Sequence, residues 1–154
     1  FFEHKALYRS VRQEVPEGYY NLPLGKASII REGSDVSIIS YGAGVHWVLS
    51  VLEKHPQINA DVIDLRTLQP LDIETIYQSV IKTSKVIILQ EDTRFGGIAS
   101  DISDMIVENC FQYLDAPIKR VGSIPTPIPF DTHLEKQYLP KDRFETELLA
   151  LIEY

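Results

Sequence analysis

The residues best equipped for chemistry stand together at Glu91-Asp92-Thr93-Arg94-Phe95-Gly96-Gly97, directly after an aliphatic run. Two adjacent carboxylates and an arginine can move protons at a substrate; they can equally cap the next helix and pair with one another. Glu91, Asp92 and Arg94 are therefore candidates for a loop that faces an active site or an interface. A second constellation is Tyr41-Gly42-Ala43-Gly44, at a point where a strand gives way to a helix. Glycines there let a phosphate approach the helix N-terminus, and Asp64 falls near the ~20-residue offset of a ribose-binding acid. The dinucleotide fingerprint then needs a glycine at position 47, which is Trp47. An indole obstructs close helix–strand packing, so a tight turn is the stronger reading. A nucleotide-binding or electron-carrier module of Rossmann-like type is the alternative.

The remaining reactive side chains are scattered. His4, His46, His55 and His133 show no metal-ligand spacing, and no cysteine supports them. The lone Cys110 ends an amphipathic segment without a matched base and is expected to be a packed thiol. No residue set qualifies as catalytic, cofactor-binding or metal-ligating.

Composition narrows the class. The chain has 154 residues, a net charge of −7, 44% hydrophobic and 24% charged residues, which suits one globular domain. The acidic balance argues against nucleic-acid binding, which needs a basic footprint. No apolar run approaches the roughly 20 residues of a membrane span. With one cysteine, a disulfide framework is excluded and a reducing, cytoplasmic setting is expected, or the mitochondrial matrix in a eukaryote. The chain opens Phe1-Phe2-Glu3-His4 and its only methionine is Met105, which reads as a piece of a longer protein.

Four β-branched runs, Val36–Tyr41, Ala60–Leu65, Lys85–Gln90 and Ile118–Gly122, read as strands. Helical stripes fill the gaps: Val45, Val48, Leu49 and Leu52; Ile73, Ile76, Tyr77 and Val80; Ile98, Ile102, Met105 and Ile106; and finally Phe144, Leu148, Leu151 and Ile152. Asp72 is placed to cap the second helix. The alternation predicts a three-layer α/β/α sandwich around a mostly parallel five-stranded sheet. The run Lys26–Arg31 reaches the next strand through Glu32–Asp35 alone, too short for a parallel crossover, so it is expected to be an antiparallel edge strand. Residues 1–25, with Pro16, Gly18, Pro23 and Gly25, read as an extended N-terminal arm or linker, and 26–154 as the α/β domain. Thr126-Pro127-Ile128-Pro129-Phe130 is a rigid loop.

Taken in order, several segments resemble a known family. They include Tyr20-Asn21-Leu22-Pro23-Leu24-Gly25-Lys26-Ala27, Arg31–Val36, Val62-Ile63-Asp64-Leu65-Arg66-Thr67-Leu68-Gln69-Pro70-Leu71-Asp72, Glu91, Gly96-Gly97, Ala116-Pro117-Ile118, Thr126–Phe130 and Tyr138-Leu139-Pro140. The chain resembles the C-terminal domain of the β-type half of 2-oxoacid dehydrogenase E1 components, the transketolase C-terminal domain. Its opening, Phe1–Arg9, is most similar to branched-chain 2-oxoacid enzymes, and pyruvate enzymes share much of it.

The resemblance implies a parent enzyme that uses thiamine diphosphate and Mg2+ to decarboxylate a 2-oxoacid and pass the acyl group to lipoyl-E2. Both cofactors are expected outside this segment, so the segment alone is expected to be inactive. Implied partners are the rest of the E1 chain or an α-type subunit, a second copy of E1, and the E2 lipoyl acyltransferase. The equivalent domain of another transketolase-superfamily enzyme is a further alternative. E2 of this family docks through a small basic domain, and two carboxylates are candidates to receive it: Asp115, in the turn before the last strand, and the chain-terminal carboxylate that the resemblance implies at Tyr154.

Overall fold

The computed structural model describes every residue from Phe1 to Tyr154. The aliphatic runs become β2 (Val36–Ser40), β3 (Ala60–Asp64), β4 (Val86–Thr93) and β5 (Lys119–Ser123), preceded by β1 (Ser28–Arg31). The helices are α1 (Leu7–Ser10), α2 (Ala43–Lys54), α3 (Ile73–Thr83), α4 (Ala99–Cys110), α5 (Thr132–Tyr138) and α6 (Lys141–Glu153), with a 3-10 turn at Phe111–Tyr113. Residues before β1 hold only the short α1, none of whose residues is buried.

The strands form one sheet in the order β1-β3-β2-β4-β5. Pairings from β3 through β2 and β4 to β5 are parallel, and β1 runs antiparallel. The antiparallel edge strand is therefore present. It lies against β3 rather than against β2, its neighbour in sequence, with Ser28 opposite Asp64 and Arg31 opposite Val62. The Glu32–Asp35 connection achieves this by passing across the start of β3. Ser34 and Asp35 both donate to the Asn59 carbonyl, at 2.8 and 2.9 Å. Gly33 makes the crossing feasible, because a Cβ there would collide with the Asn59–Ala60 backbone.

Side chains alternate across a strand, and here the alternation divides the core in two. Val36 and Ile38 of β2, Val62 of β3 and Ile87 and Leu89 of β4 face α2 and α6, where Val48, Leu52, Phe144 and Leu148 cover them. Ile39, Ile63, Val86 and Ile88 face the other way, under Ile76 and Val80 of α3 and Ile102 and Ile106 of α4. The result is the α/β/α sandwich the alternation implied. Cys110 is a packed thiol, 1% exposed, and burial pushes its pKa up.

Two features depart from the sequence reading. Glu91 and Asp92 do not begin a loop. β4 continues through Thr93, held by Thr93 opposite Ser123 and by the Ser123 hydroxyl donating to the Glu91 carbonyl at 2.5 Å. Pairing with β5 thus overrides the poor strand propensity of the two carboxylates. The second departure is α5, in a stretch without a long apolar stripe. Its signal is the N-cap: the Asp131 carboxylate accepts from the His133 and Leu134 N–H groups at 2.9 and 3.1 Å. The peptide bonds before Pro127 and Pro129 are trans; the one cis bond precedes Pro70.

Candidate functional site

In open parallel sheets, ligands bind beyond the carboxyl ends of the strands, where the winding direction reverses. Here that point lies between β2 and β4, beneath Tyr41 and Glu91. Tyr138, Leu139 and Glu135 from α5 and the residue after it line the crevice there, with Ile128 from the proline loop, Tyr41, Glu91 and Asp92. Residues from the arm reach it as well: His4 Nε2 lies 3.1 Å from both carboxylate oxygens of Glu91. Burial first, then the Asp92 and Glu91 charges, push the Tyr41 phenol above its usual range. An acidic crevice repels a phosphate, so it does not suit a dinucleotide.

The neighbouring glycine turn serves backbone geometry. Gly42 adopts φ +57° at the start of α2, and Ser40 Oγ occupies the space beside Gly44 while donating to the Leu89 carbonyl at 2.9 Å. Asp64 accepts the Arg66 N–H at 3.0 Å, a local turn bond. The Tyr41–Gly44 segment is thus a strand-to-helix turn.

Arg94 stands apart from Glu91 and Asp92. It follows β4 on the turn to α4, and its N–H donates to the Ser123 carbonyl at 3.1 Å. Gly122 of β5 lets this turn approach, since a Cβ there would sit 2.8 Å from the Arg94 nitrogen and the Asp92 carbonyl oxygen. The turn brings Arg94 beside Arg120, with which it lines two adjoining hollows. Glu91, Asp92 and Arg94 thus separate: the first two line the acidic crevice, the third does not. Arg120, Arg143 and Gln90 escaped the sequence reading. Gln90 carried a signal, being the polar residue that closes an aliphatic run; it is fully buried.

Asp115 and Tyr154, drawn from opposite sides of β5 in sequence, line one hollow of about 520 Å3. Asp115 precedes β5, and its N–H donates to the Ser84 carbonyl at 2.9 Å. α6 packs along β5 and β4 and delivers Tyr154 to the same end of the sheet. Val107 and Phe111 of the α4 region form the apolar wall. Arg120 lines the same hollow, with Nη1 donating to Ser100 Oγ at 2.6 Å; Lys119 is engaged by Glu147 at 2.8 Å, and Lys85 Nζ donates to the Ile152 carbonyl at 3.1 Å.

No three His, Cys, Asp or Glu side chains converge in a way that would hold a metal ion.

Comparison with known proteins agrees with this architecture. The model of the transketolase C-terminal domain matches residues 25–143. The chain is 42% identical to the 2-oxoisovalerate dehydrogenase subunit beta of Bacillus subtilis, over 100% of this chain and 48% of that protein. It is 47% identical to the pyruvate dehydrogenase E1 component subunit beta of the same organism, over 95% of this chain and 46% of that protein. The chain thus spans about half the length of these relatives. Among solved structures, a split-gene transketolase, described as an inactive beta4 tetramer, superposes with a TM-score of 0.72 at 24% identity, over 92% of this chain and 47% of that one, a likeness of fold. With the family match spanning most of the sequence and the sheet order and helix layers in agreement, the chain belongs to the transketolase C-terminal domain family.

Proposed function

We propose that this chain is the C-terminal domain of a β-type E1 component in a thiamine diphosphate-dependent 2-oxoacid dehydrogenase. In this reading the parent enzyme decarboxylates a branched-chain 2-oxoacid or pyruvate and acylates lipoyl-E2, with the diphosphate and Mg2+ held by other domains or by a partner chain. The domain contributes association with the rest of E1, with an α-type subunit or a second E1 copy, and a docking face for E2. Identity of 42–47% to β subunits of both substrate classes supports the enzyme type. The acidic lining of the crevice disfavours the dinucleotide alternative.

The observation that carries the docking role is the meeting of Asp115 and Tyr154 at one hollow. Asp115 supplies a carboxylate on an exposed turn; Tyr154, where it ends the chain, supplies a second. An arginine fork from a basic partner domain would bridge the two carboxylates across this hollow, against the apolar wall of Val107 and Phe111. Opposite potentials would also speed encounter.

The test is a titration of the parent E1 with the peripheral binding domain of its E2. Asp115→Ala is expected to weaken docking about tenfold at low salt, and the loss to shrink as ionic strength rises. Unchanged affinity at low ionic strength removes Asp115 from the interface.

A further inference from the structure

We propose that Arg94 and Arg120 form a binding site for a phosphate group, in the hollow between the Arg94–Gly97 turn, the first turn of α4 and the end of β5. This site lies apart from the acidic crevice; Arg120 also lines the hollow of Asp115 and Tyr154, whereas Arg94 does not, so Arg94 tests the phosphate site by itself.

The first observation is charge bookkeeping in an acidic protein. The chain has an excess of seven negative charges, yet its ion pairs all use lysine or histidine, and no arginine is paired with a carboxylate. Arg143 is occupied in another way, donating to the Gln137, Gly122 and Tyr138 carbonyls at 2.9, 3.0 and 2.9 Å. That makes it a clamp between β5, α5 and α6. The Arg94 guanidinium has no partner within the chain and is exposed. Arg120 spends one donor on Ser100, Nη1 to Oγ at 2.6 Å, and is half-buried.

The second observation is placement. Both guanidinium groups line one hollow of about 680 Å3, together with Ser100, Asp101, Phe95 and Pro125. Two positive charges against one carboxylate leave the hollow net positive. A phosphate monoester carries about −1.5 to −2 charges near neutral pH and presents oxygens that match the arginine fork. Ser100 Oγ already accepts from Arg120, so its own proton is available to a ligand oxygen. Phe95, 85% exposed, offers a ring face at the rim for the body of an ester.

The third observation is that the turn carrying Arg94 is held from three sides. Gln90 binds the Thr93 carbonyl, Thr93 Oγ1 donates to the Phe95 carbonyl at 2.8 Å, and Gly122 admits the backbone. The turn thus fixes the backbone from which Arg94 extends, while its unbonded guanidinium stays free to meet a ligand.

The ligand is either free phosphate or a phosphate ester, and calorimetry on the 154-residue chain separates them. Inorganic phosphate and phenyl phosphate are titrated at constant ionic strength into the wild type, Arg94→Gln, Arg120→Gln, Phe95→Ala and an arm control, Arg12→Gln. Saturable binding is expected in the wild type and in the control, with both arginine variants about tenfold weaker or worse. Tighter binding of phenyl phosphate, lost in Phe95→Ala, identifies an ester; equal binding of both probes identifies free phosphate. The Arg94 side chain makes no hydrogen bond in the fold, so its variant decides the matter even if Arg120→Gln unfolds. No saturable heat in the wild type, or binding by Arg94→Gln equal to that of Arg12→Gln, overturns the proposal.

Discussion

Gln90 reaches across the turn that follows its own strand to hold Ala99: Oε1 accepts the Ala99 N–H at 2.8 Å, while Nε2 donates to the Thr93 carbonyl at 2.5 Å. One buried carboxamide thus ties the end of β4 to the start of α4 and shapes the segment that carries Arg94 and Phe95. It also explains Gly97, where a Cβ would collide with the Gln90 side chain. Gln90→Leu keeps the volume but leaves a backbone donor and an acceptor without partners. It is expected to cost about 1–3 kcal/mol, read as a lower urea midpoint with an unchanged m value. A loss below about 0.5 kcal/mol would show that water replaces both bonds.

Asp72 performs a long-range version of the same task. Burial by itself would raise its pKa. The Ala27 N–H at 3.0 Å and the Thr75 hydroxyl at 2.9 Å, with Lys26 at 3.9 Å, outweigh burial and hold the carboxyl below its ordinary value. The lowered folded value means that the unfolded chain takes up the proton first as pH falls. The stabilisation is therefore complete above the ordinary aspartate range and is lost as pH drops through the folded value. The stability gap between wild type and Asp72→Asn should be widest near neutral pH and should close in that acid window, as followed by urea melts across pH. A gap that is constant with pH would mean that the Asp72 charge contributes nothing.

Much of the architecture was readable because it rests on local pattern. Val86–Leu89 is a solid aliphatic run, and such a run is stable only when both faces are covered, as they are by α2, α6, α3 and α4. The neighbour of β1 was not readable, because it depends on Gly33 crossing the start of β3, a contact between residues far apart in sequence. The extension of β4 through Glu91–Thr93 was hidden for a similar reason: polar residues there are strand only because Ser123 pairs with them. At the candidate sites, residue types were legible and groupings were not. Glu91, Asp92 and Arg94 are adjacent in sequence yet divide between two places, while Asp115 and Tyr154 meet only because α6 packs along β5.

Asp61 offers the sharpest test of how the edge of the sheet is secured. It is fully buried in β3, and its carboxylate accepts from Ser79 Oγ at 2.5 Å, from Gly33 N–H at 3.2 Å and from Lys82 Nζ at 2.8 Å. Ser37 extends the network, lying 2.6 Å from Ser79 Oγ and 2.7 Å from Thr83 Oγ1. One side chain therefore links β3, α3, β2 and the Glu32–Asp35 crossing. Asp61→Ala removes the common acceptor and strands a buried hydroxyl and a backbone N–H, while the part-exposed Lys82 ammonium turns to water. A loss of about 3–5 kcal/mol is expected, the range for breaking a buried pair. Lys82→Met takes away only one of the three donors: the buried Asp61 carboxylate loses its counter-charge but keeps Ser79 Oγ and the Gly33 N–H. Lys82→Met should therefore cost less than Asp61→Ala. If the two variants melt alike, the ion pair outweighs the hydrogen-bond hub, and the crossing at Gly33 is secured by Asn59 alone.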